Sequence, residues 1–160
     1  MWHAAADLYF LVRTFTKRIG RTDLSLVAAD RASAAAEAAD DHNVLWSVFG
    51  PTNVALHAVS VEVEAGEATE ALRLAGDLDV SYSPSAERRL TFFLDVARAY
   101  DQRRDDPGVL VHLMCAEGAG PEDVRYDPLA RDLVRGLLKR ARPTYAAQVR
   151  ALAQRIDLVS

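Results

Sequence analysis

Cysteine is nearly absent, with Cys115 alone among 160 residues. One thiol forms no intrachain disulfide, so packing must hold the fold, and a reducing cytoplasm is the expected compartment. Lysine is almost as scarce: Lys17 and Lys139 are the two among 19 basic residues. Acidic residues number 23, which leaves a net charge of −4. A nucleic-acid surface needs clustered, unopposed cations to displace counterions from phosphates, so no direct nucleic-acid binding by this chain is expected. Long apolar runs are missing too. None approaches the ~20 residues of a membrane helix, and the opening MWHAAADLYF lacks the basic stretch and apolar core of a signal peptide. Nor does any GxSxG, P-loop, GxGxxG, CxxC or HExxH pattern occur. The sequence therefore predicts a cytoplasmic, non-enzymatic chain with no catalytic residue, cofactor or metal.

What is present is helical periodicity. Half of the residues are hydrophobic and 26% are charged, an ordinary balance for one globular domain over 1–160 with a sizeable core. Leu8, Leu11, Val12, Phe15 and Ile19 form one stripe that stops at Gly20, and Leu24, Val27, Ala28, Ala32, Ala35 and Ala39 form a second. A third helix starts at Pro51, whose fixed φ suits a first helical position, and runs through Leu56, Val59 and Val63 to Gly66. VSVEV at 59–63 alternates like a strand but lies inside that pattern. EATEALRLAGDL continues as a short helix, and Ser83 or Ser85 offers a cap for the next. That helix carries Leu90, Phe93, Leu94, Ala97 and Tyr100, and GVLVHLMCAE makes its partner. DPLARDLVRGLLKR and TYAAQVRALAQRI follow, separated by Pro143. The reading is all-α, about eight helices in antiparallel pairs.

The turns near Gly20, Gly66 and Asp105 lie 46 and 39 residues apart, somewhat longer than a minimal helix–turn–helix repeat of about 34. GEATEAL at 66–72 resembles the tetratricopeptide turn. Phe93, Ala97, Tyr100, Ala116 and Pro121 carry that family's spacing of aromatic, small, aromatic, small and terminating proline. Further segments, in order, are DLSLVAADRASAAAEAADD, FGPTNVALHAVSVEVEAGEATEALRLA, LDVARAYDQRRDD and VRYDPLARDLVRGLL. Together they look like the tetratricopeptide-like C-terminal region of bacterial Xre-type helix-turn-helix transcriptional regulators. The resemblance implies a right-handed superhelix of antiparallel helix pairs, with approximate repeats at 4–39, 51–80, 86–121 and 127–157. It also implies a sensing or dimerisation role for a regulator whose DNA-binding domain lies outside this chain.

In such a superhelix the first helix of each pair lines the concave face. Asn53, His57 and Glu64 recur at i, i+4 and i+11 opposite the Leu56–Val59–Val63 stripe. Arg89, Phe92 and either Asp95 or Arg103 follow on the next first helix, and Arg131 and Arg135 on the last. Amide, imidazole, aromatic and guanidinium groups on one concavity suit a peptide backbone or a carboxylate. The expected partner is thus a peptide, a small signal molecule or a partner protein in the groove, with a homodimer also on the list. The plainer alternative is that these polar faces are solvated and that Arg131 and Arg135 pair with Asp127 or Asp132. Other functions compatible with the fold are a stand-alone scaffold for a partner protein and a biosynthetic enzyme using His57 or Asp95. His3 with Asp7 and His112 with Cys115 offer two ligands each, too few for a closed zinc site. Cys115 reads as a buried, inert thiol; Trp2 and Trp46 read as packing between repeats or, for Trp2, against another subunit, with an apolar ligand pocket as the alternative for both; and YAAQVRALAQRI, if exposed and apolar, is an end helix that favours dimerisation.

Overall fold

The structure, a computed structural model, describes Val12, Val27, Arg31 and residues 51–80 and 85–159; for 51–54 it describes the backbone alone. The chain divides into two compact units, Met1–Leu78 and Asp79–Ser160. Among the described residues there are seven helices and no strand. Val12, Val27 and Arg31 are also helical. Val12 and Val27 are exposed, although periodicity sets both on apolar stripes. The rest of the repeat at 4–39, with Trp2, His3, Asp7 and Trp46, lies outside the described residues.

In the first unit α1 spans Pro51–Ala65 and α2 Ala68–Gly76. Pro51 opens α1 as its fixed φ predicts. Gly66 ends it with φ +85°, and the amides of Gly66 and Glu67 donate to Val63 O and Glu62 O at 3.2 and 2.9 Å. This pair of bonds is the Schellman closure, which saves two terminal carbonyls from going unpaired. Val59, Val63, Ala68 and Ala71 are buried and apolar in this hairpin.

The second unit holds α3 (Ala86–Gln102), α4 (Asp106–Ala119), α5 (Pro121–Tyr126), α6 (Pro128–Arg140) and α7 (Ala146–Arg155). Each long helix begins where sequence chemistry places it. Ser85 caps α3 by accepting from Arg88 N at 3.3 Å, Asp105 caps α4 through Gly108 N at 3.1 Å, and Asp127 caps α6 through Ala130 N at 2.8 Å. A core of Leu94, Leu113, Val134, Leu137, Leu152 and Ile156 with their neighbours binds the helices together. Ala97 and Ala116 are both fully buried in it; a small side chain there lets paired helices approach closely. The six-residue α5 was not foreseen, since its single buried residue, Val124, sets no periodicity.

Candidate functional site

The polar side of α1 is withdrawn from solvent. His57, Ser60 and Glu64 stand at i, i+3 and i+7, hence on one side of the helix. Ser60 is only 4% exposed, His57 and Glu64 are half-buried, and His57 Nε2 is itself buried. Asn53 lies in the first turn of α1, where its side chain is outside the described residues.

On α3 the same contrast recurs in the second unit. One face, Leu90, Leu94 and Ala97, belongs to the core, with Phe93 and Tyr100 packed against it. A second set, Phe92, Asp95, Val96 and Ala99, is also buried, at i, i+3, i+4 and i+7, with Asp95 at 4% exposure. Phe92 meets Phe93 edge-on, ring centroids 5.6 Å apart. It is therefore a packed side chain and not an open platform. Arg89 is half-buried one turn before it.

The arginines of α6 have structural work. Arg131 donates to Arg125 O at 2.9 Å and Ile156 O at 3.1 Å, tying the ends of α5 and α7 together. Arg135 pairs with Asp132 at 2.6 Å on the exposed surface, one of the two pairings weighed from the sequence. Asp127 is committed to the α6 cap instead. Of the seven sequence-selected residues, Asn53, His57 and Glu64 belong to the first unit, and Arg89, Phe92, Arg131 and Arg135 to the second.

Arg140 bridges Asp101 and Asp106, the latter at 2.5 Å, while the Tyr145 hydroxyl donates to Asp106 at 3.3 Å. Burial opposes the charge of Arg140, but the hydrogen bonds it donates to Asp106 and Asp101 outweigh it, so its pKa is raised above the ordinary guanidinium value. Arg155 holds Glu117 with two parallel bonds of 2.6 Å, the bidentate geometry that suits guanidinium to carboxylate, and this bond raises its pKa too. Glu70 is lowered by its hydrogen bond from Arg73 on the exposed face of α2.

His112 stacks on Tyr100, centroids 5.0 Å apart, with Nδ1 2.9 Å from Gly108 O. Cys115 is exposed, against the expectation of a buried thiol. Its helix is apolar all round, so periodicity could not select the face that the core takes. An open cleft of about 640 Å³ in the second unit carries four carboxylates, Glu87, Glu122, Asp123 and Asp127, beside Tyr126. Among the described residues no group of three or more His, Cys, Asp or Glu is placed to hold a metal ion. No described helix is long and apolar enough to cross a membrane. No protein-family model, curated protein or solved structure matches the chain.

Proposed function

We propose that the chain is a tetratricopeptide-like sensor or interaction domain of a transcriptional regulator, non-enzymatic and cytoplasmic. It takes a peptide or small signal molecule on the polar faces of its first helices and passes that event to a DNA-binding domain outside this chain. The observation that carries this reading is the placement of buried polarity. Among the described residues the buried polar side chains are Ser60 and Asp95. One falls on α1 and the other on α3, the first helices of their hairpins, a turn from His57 and Phe92. Removing polar groups from water is costly, so they are retained where they do something that apolar packing cannot. The resemblance to Xre-type regulators supplies the regulatory context.

Native mass spectrometry of the chain purified from its own host tests the reading. The expected spectrum shows extra mass on the wild-type chain and none on His57→Ala. A bare chain at every activation energy would overturn ligand sensing.

A further inference from the structure

We draw no further inference here: the strongest candidate, the open cleft lined by Glu87 and Leu90 of α3 and by Glu122, Asp123 and Tyr126 of α5, is a cluster of carboxylates at helix starts, where Asp127 caps α6 and Glu122 pairs with Arg125, and nothing in the structure shows what covers it.

Discussion

Three described residues hold positive φ: Gly66 at 85°, Arg104 at 59° and Asp157 at 50°. Each stands just past a helix end. The amides of Arg104 and Asp105 reach Asp101 O and Tyr100 O, both at 3.0 Å, and those of Asp157 and Leu158 reach Gln154 O and Ala153 O at 3.1 and 2.8 Å. The same closure thus recurs at three helix ends, but only one has the residue that adopts it without a Cβ penalty. Gly66→Ala should destabilise by about 1–2 kcal/mol. The loss is conformational, because nothing lies within 4 Å of the added Cβ. Arg104→Gly should do the reverse, gaining about 0.5–1 kcal/mol. Urea denaturation of the two variants checks both signs, and a stabilised Gly66→Ala would refute the assignment. Asp157 is a poorer choice, since its carboxylate pairs with Arg125. The Gly66 turn was legible because glycine announces a left-handed residue. At Arg104 the residue type announces nothing, and only the backbone reveals the turn.

At the scale of elements, α3 and α4 form the most intimate pair among the described helices, and Gly108 makes that closeness possible. A Cβ there would stand 2.6 Å from Tyr100 Cγ, and the ring is already stacked on His112. Gly108→Ala would gain about 1 kcal/mol of helix propensity at most. Displacing the ring costs about 1–3 kcal/mol by overpacking. The clash should win, with a net loss of about 1–2 kcal/mol in thermal or urea melts; an unchanged melt would show that Tyr100 moves freely. The cap at Ser85 was one of two serines the sequence offered, because a cap is a local bond across three residues, whereas the caps at Asp105 and Asp127 emerge from the structure. The same local logic failed for α4, whose apolar circumference hides its core face and misplaced Cys115 as buried. The last helix also differs from expectation. Val149, Leu152 and Ala153 of α7 are buried, while Gln148, Arg150 and Gln154 point to solvent. Its outer face is polar, whereas exposed Val111 and Met114 stand on α4.

Across the whole molecule, two compact units divide the chain near residue 78, and long-range arginine contacts organise the second. Arg131 reaches Ile156, and Arg140 joins the α3–α4 turn to the end of α6. Such pairings were not legible, because no local pattern links positions 25 to 39 residues apart. Arg140→Met keeps the aliphatic stem but leaves Asp101 and Asp106 without their shared cation. The expected cost is about 1–2 kcal/mol, tempered by partial exposure. Arg73→Met, which breaks a fully exposed pair, should leave stability unchanged. Equal losses from the two would contradict the distinction. The all-α class followed from periodicity, whereas the polarity of the first helices became interpretable only when Ser60 and Asp95 proved buried. Hydrogen–deuterium exchange reads ligand binding by the first helices, comparing the protein as purified from its host with the same protein stripped by denaturation and refolding. Exchange is expected to be slower in the purified sample over residues 55–64 of α1 and 89–99 of α3. Identical exchange in both samples, or protection confined to α6 and α7, would contradict a ligand-binding role for the first helices.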